Sequence, residues 1–165
     1  MWYGLKDIER LFFNAMQAGY ATNPAKTTLV ELPGSKVITF QERGFKMIDL
    51  WFVGSNGKSA GSTMIFVDEK IVWKMDYRGQ YQEEEIDFLK SVLRREYYKD
   101  YVPGAAPEFF RGCRGPRLFL SNGLAYTNNV KEGSDFYQFS GREEIISRAN
   151  SCLVVGYHDY EGMLL

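Results

Sequence analysis

Histidine is almost missing from this chain: His158 is the only one in 165 residues. Cysteine is nearly as scarce. Cys113 and Cys152 stand far apart, and neither has a second ligand at metal-site spacing. These shortages exclude the usual structural zinc patterns, and no metal or cofactor is expected. A disulfide between the two cysteines stays open, but two idle thiols in a reducing cytosol fit better. An excess of charge of one sign is also lacking, since 20 basic residues face 21 acidic ones for a net charge of -1. Nucleic-acid affinity rests on neutralising phosphate, so a general nucleic-acid binder is not expected, though a local basic patch stays open. The first residues show no basic segment followed by an apolar run, and no apolar stretch approaches the length of a membrane span. The reading is no signal peptide, no membrane and a cytoplasmic location.

Aromatic side chains are plentiful, at 16% of the chain with 11 Tyr and 12 Phe. In a β-rich protein of this size they suit core and sheet packing first, and an aromatic binding groove second. Residues 49–81 carry the clearest pattern. In Trp73-Lys74-Met75-Asp76-Tyr77-Arg78-Gly79 apolar and charged groups alternate, so a strand would sort Trp73, Met75 and Tyr77 from Lys74, Asp76 and Arg78 onto opposite faces.

Leu5, Ile8, Leu11, Phe12 and Met16 recur at helical spacing and predict an amphipathic helix ending near Gly19. Residues 21–34 read as a loop with a short strand at 28–32. Residues 36–42 alternate, Arg43-Gly44 turns, and residues 46–53 read as a central strand buried on both faces. Residues 54–61 read as a wide loop, followed by a hairpin of 62–67 and 70–77 about Asp68-Glu69. A second helix is predicted from Glu83 to about Lys99. Its acids Glu83, Glu84 and Glu85 complement the dipole at its start rather than forming a metal cluster. After an irregular connection at 103–116, strands are predicted at 117–120, 124–127 and 135–139. Ser140-Gly141-Arg142-Glu143 has the form of a helix-capping box, but a final hairpin of 143–147 and 152–158 with Gly141 as a bulge is preferred. The two strand blocks show no convincing internal repeat. The expected fold is α+β, one domain over residues 1–165, with a curved antiparallel sheet of about seven to nine strands covered by two amphipathic helices.

Four groups of residues could carry chemistry. Arg111, Arg114 and Arg117 stand at intervals of three in a glycine-rich segment, where guanidinium forks and backbone amides suit a carboxylate or phosphate; a solvated turn is the alternative. Cys113 beside them is either an activated thiol or a buried structural one. His158 could act as a general base oriented by Asp159 or a cross-strand carboxylate, or could be structural. Asp49 and Asp76 each interrupt an apolar strand, and either line one pocket or pair with arginines such as Arg78.

The order Asp49, Phe52, Gly54, Gly61, then Trp73-x-Met75-x-Tyr77-x-Gly79, resembles an uncharacterised bacterial domain of unknown function. Arg114-Gly115-Pro116, Phe139-x-Gly141-x-Glu143 and Tyr157-His158 extend the resemblance, which covers about Ala18 to the end. Members of that family occur alone or behind a repressor-type helix-turn-helix domain, which implies a sensor or effector role. This chain departs from them: Thr63 replaces an acid, Asp76 an asparagine, and Asp159-Tyr160 a Gly-Gly pair. The leading expectation is a module that binds or senses a small anionic ligand through Asp49, Asp76, Tyr77, Arg78, Arg111, Arg114, Arg117 and His158, with aromatic walls. No catalytic residue is assigned. The alternatives are a metal-independent hydrolase or isomerase using Asp49 or Asp76 with His158, and an interaction domain presenting Tyr97, Tyr98 and Tyr101. A homodimer is compatible with the sequence.

Overall fold

The computed structural model describes residues 4–19, 25–97, 118–149 and 153–165. Helix α1 is Leu5–Ala18 and helix α2 is Glu83–Tyr97. The Asp7 carboxylate accepts the Gly4 backbone N–H at 3.0 Å, which satisfies one of the donors that a helix start leaves open. The strands are β1 (Lys36–Glu42), β2 (Phe45–Val53), β3 (Lys58–Val67), β4 (Lys70–Gln80), β5 (Leu118–Ser121), β6 (Leu124–Val130), β7 (Gln138–Ser147) and β8 (Leu153–Leu164). They form one open antiparallel sheet in the order β1-β2-β3-β4-β8-β7-β6-β5. The α+β class and the strand number match expectation.

Both helices pack on the same face of the sheet. Helix α1 presents Ile8, Leu11, Phe12, Ala15 and Met16, and α2 presents Leu89, Val92 and Leu93, to Phe45, Met47, Ile65, Trp73, Met75 and Tyr126. Each large side chain moved fully out of water there contributes about 1.5–3 kcal/mol. Trp73 lies at the centre, stacked on Phe136 with ring centroids 5.2 Å apart. Its indole N–H donates to the Phe136 carbonyl at 3.0 Å, so the buried donor is paired.

The local outcomes differ from expectation at several points. Strand β2 is not buried on both faces: its burial alternates, because only one face meets the helices. Residues 58–61 belong to β3 rather than to a loop, leaving a four-residue turn before them. Thr27 makes a single bridge to Val37 where a short strand was expected at 28–32. Strand β6 runs on to Val130, and residues 135–137 precede β7 instead of forming a strand. Gly141 is in regular register, and the irregularity falls between Ile145 and Ile146. Strand β8 continues to Leu164, so His158 sits in mid-strand. The hairpin about Asp68-Glu69 forms as predicted, with both residues in the left-handed region (φ 46° and 65°) that a tight two-residue turn requires.

The chain also contains the repeat that its sequence hides. A helix followed by a four-strand meander occurs twice, and the units join where β4 pairs with β8, with Tyr77 directly opposite Tyr160. Asp49, Thr63 and Met75 lie opposite one another across β2, β3 and β4. Asn128, Glu143 and His158 do the same across β6, β7 and β8. Trp51, Gly61 and Tyr77 likewise match Val130, Gly141 and Tyr160. Even the register shift recurs, at Ile65/Phe66 and at Ile145/Ile146.

Candidate functional site

Strand alternation gives the sheet two chemically different faces, and each carries a hollow near the seam between the units. On the face away from the helices a hollow of about 850 Å³ is lined by two rows of side chains. One row is Phe52, Ala60, Arg78, Asp159, Arg142 and Asn129, and the other is Leu50, Ser62, Asp76, Glu161, Ser140 and Lys131. Several of these charges already neutralise one another. The Arg142 guanidinium donates to Glu144 at 2.8 Å and to both Asp159 oxygens at 3.0 and 3.2 Å. Its bond to Glu144, opposed by burial and aided by Asp159, holds its pKa above the usual arginine value. The Asp76 carboxylate accepts from Lys74 at 2.8 Å and from the Ser62 hydroxyl at 2.5 Å. Burial acts to raise the Asp76 pKa, but the bonds from Lys74 and Ser62 prevail and hold it below the ordinary carboxylate range. Arg78, Lys131 and Glu161 remain, and none of the three makes an ion pair among the described residues. The charged side chains that line the hollow balance, with Arg78, Lys131 and Arg142 against Asp76, Asp159 and Glu161, but Arg78 and Lys131 are the two cations outside its ion pairs.

The helix-covered face holds a smaller hollow of about 90 Å³, bordered by Met16, Asp49, Trp51, Ser59, Tyr77, Tyr81 and His158. A polar row crosses the sheet beside it. The Ser59 hydroxyl lies 2.9 Å from His158 Nε2, and His158 Nδ1 lies 3.4 Å from Glu143 Oε1. Glu143 Oε2 accepts the Tyr126 hydroxyl at 2.5 Å. Glu143 is 0% exposed and His158 6%, so the row is screened from water at one end and opens toward Ser59, which is partly exposed. Ser59 and His158 are not on adjacent strands, because Gly79 of β4 lies between them. A Cβ at Gly79 would stand 2.5 Å from His158 Cδ2, so only glycine lets the imidazole lie across β4.

Asp49 belongs to this covered face. It accepts the Tyr77 hydroxyl at 2.8 Å and the Thr63 hydroxyl at 2.9 Å, and is 5% exposed. The second unit repeats the motif, with the Tyr160 hydroxyl donating to Asn128 at 2.5 Å. Asp49 and Asp76 therefore face opposite sides of the sheet and do not meet. Asp76 and Arg78 line the open hollow, while Asp49 and His158 border the covered one, with the Tyr77 ring against His158 at 5.6 Å. The pairing of Asp76 with His158 as an acid–base couple is removed by that separation. Arg111, Arg114, Arg117 and Cys113 lie outside the described residues, as do Cys152, Tyr98, Tyr101 and the side chain of Tyr97. No group of three or more metal-ligating side chains occurs among the described residues. No described helix is long and apolar enough to cross a membrane.

Sequence reading missed Ser59, Tyr126, Arg142, Lys131, Glu161 and the role of Glu143. Glu143 did carry a signal: it is an acid at a period-two position between Phe139 and Ile145, where a core-facing residue should be apolar. Arg142 and Lys131 could be placed only once the register of β6 on β7 was known.

The fold and its two hollows define an α+β domain made of a doubled helix-plus-meander unit, with a charged groove on one face and a buried polar row on the other. The chain belongs to the family described as Domain of unknown function (DUF5680), whose model matches residues 50–164, from within β2 to the end of β8. No curated protein and no solved structure matches it.

Proposed function

We propose that the protein binds a small anionic molecule in the groove on the uncovered face of its sheet, and serves as a binding or sensing module. The observation that carries this reading is a pair of cations, Arg78 and Lys131, outside the ion pairs of a hollow of small-molecule size. About 300–1,000 Å³ is usual for such sites, and this one holds about 850 Å³. Asp76, Asp159 and Arg142 are already committed to partners, so they form a rigid polar floor. Arg78 and Lys131 are left to meet a carboxylate or phosphate, with Arg78 offering the planar fork that grips such groups at two points. Leu50 and Phe52 provide an apolar wall for the rest of the ligand.

A thermal-shift screen across phosphates, carboxylates and nucleotides tests this, with the Arg78→Gln variant run alongside. A ligand at 100 times its Kd raises stability by about 2.7 kcal/mol, a rise of several degrees for a chain of this size. Loss of the charged contact costs about 1.5–3 kcal/mol of binding, so Arg78→Gln weakens the same ligand roughly 10- to 150-fold. A panel that shifts neither protein, or shifts both alike, removes the proposal.

A further inference from the structure

We infer that Ser59 is a nucleophile for acyl transfer, activated by His158, with Glu143 and Tyr126 as positioning residues. This site lies on the opposite face from the anion groove and stands independently of it. The covered hollow would take the acyl group of a short-chain ester.

The geometry is that of a directed proton path. Glu143 near Nδ1 favours the tautomer that carries its proton there, which turns the Nε2 lone pair toward the Ser59 hydroxyl 2.9 Å away. The Tyr126 hydroxyl fixes the far oxygen of Glu143. The Tyr81 ring meets the imidazole edge-on at 4.6 Å, and Tyr77 lies on it at 5.6 Å, so the ring is held in place. The hollow of about 90 Å³ at Ser59 suits an acetyl-sized group and little more.

The duplicated fold supplies the control. The row Ser59, Gly79, His158, Glu143, which crosses the seam from the first unit into the second, is matched by Phe139, Gly162, Met75, Thr63, which crosses it the other way. There the Phe139 ring lies across Gly162, as His158 lies across Gly79. The matching sites thus hold Met75 and Thr63, neither of them ionisable, where this row buries an imidazole and a carboxylate. Burying those groups costs desolvation that the fold itself does not demand. The Tyr77–Asp49 and Tyr160–Asn128 bonds, by contrast, occur in both halves and belong to the architecture.

The chemistry follows the general serine–histidine logic. Ser59 Oγ attacks the ester carbonyl carbon as its proton passes to Nε2. The imidazolium returns that proton to the leaving alcohol as the ester C–O bond breaks, leaving acyl-Ser59. Water then attacks the acyl carbon, giving a proton to Nε2. That proton returns to Ser59 Oγ as the carboxylic acid departs.

Treatment of the full chain with a fluorophosphonate probe, followed by intact mass and peptide mapping, tests the assignment. The expected result is one adduct, on Ser59, absent in Ser59→Ala and formed at least about 100-fold more slowly in His158→Gln. Turnover of p-nitrophenyl acetate falls in parallel. Glu143→Gln lowers kcat with KM unchanged and alters the pH profile, and Glu143→Asp restores part of the rate. Should His158→Gln fail to fold, the adduct site in the wild-type chain still decides. No adduct on Ser59, or one formed equally fast in folded His158→Gln, overturns the inference.

Discussion

Replacing Glu143, His158 and Tyr126 by Thr, Met and Met gives the second unit the residues that the first unit has at Thr63, Met75 and Met47. Single and triple variants should then move stability in opposite directions. Glu143→Thr alone strips the carboxylate from the Tyr126 hydroxyl, 2.5 Å away, and from His158 Nδ1, 3.4 Å away. Each buried polar group that loses its partner costs about 1–3 kcal/mol, so the single change should cost about 3 kcal/mol. For a chain of this size that lowers Tm by roughly 6–12 °C. The triple variant removes the carboxylate, the imidazole and the phenol together, and sets one Thr hydroxyl opposite Asn128, as Thr63 stands opposite Asp49. Exchanging a buried polar network for apolar residues is neutral, or stabilising by about 1–4 kcal/mol. The triple variant should therefore regain the wild-type Tm, or exceed it, while losing any reaction at Ser59. Urea unfolding followed by circular dichroism measures both. A triple variant no more stable than Glu143→Thr would refute the reasoning, because the polar row would then be part of what holds the sheet.

Three further outcomes are expected. Gly79→Ala places a Cβ 1.9 Å from the Tyr157 carbonyl oxygen and 2.5 Å from His158 Cδ2; forced crowding of this kind costs about 1–3 kcal/mol, which a urea midpoint will register as a clear drop. Trp73→Phe removes the N–H donated to the Phe136 carbonyl and leaves a void in a site with no exposure; a loss of about 2 kcal/mol is expected by the same assay. The lowered pKa of Asp76 adds stability that is present above the unfolded carboxylate value, about 3.9, and is lost as pH falls through the folded value. The Tm gap between wild type and Asp76→Asn should thus be widest near neutrality and close in acid. A gap that widens in acid would show the sign to be wrong.

Much of the fold was legible because one physical pattern carried it. Both helices followed from apolar residues at helical spacing, and the β3–β4 hairpin from Asp68-Glu69 between alternating strands. Glycine misled twice for a single reason. Gly61 and Gly141 read as loop and bulge, yet both sit in regular strands, because the rings of Tyr77 and Tyr160 lie where their side chains would be. The repeat stayed hidden because packing conserves shape more than identity. Its clearest trace is Asp76-Tyr77-x-Gly79 against Asp159-Tyr160-x-Gly162. The expected common pocket failed on parity: residues 49 and 76 look alike in sequence, but the β2–β3–β4 register turns them to opposite faces.

The most direct measurement of the binding account is an NMR titration of the labelled chain with a phosphate or carboxylate hit from the screen. The account predicts saturable amide shifts clustered at Ser62, Arg78, Ser140 and Glu161, with Ser59 and His158 on the other face unmoved. Shifts centred on the covered face, or spread without saturation, would contradict it.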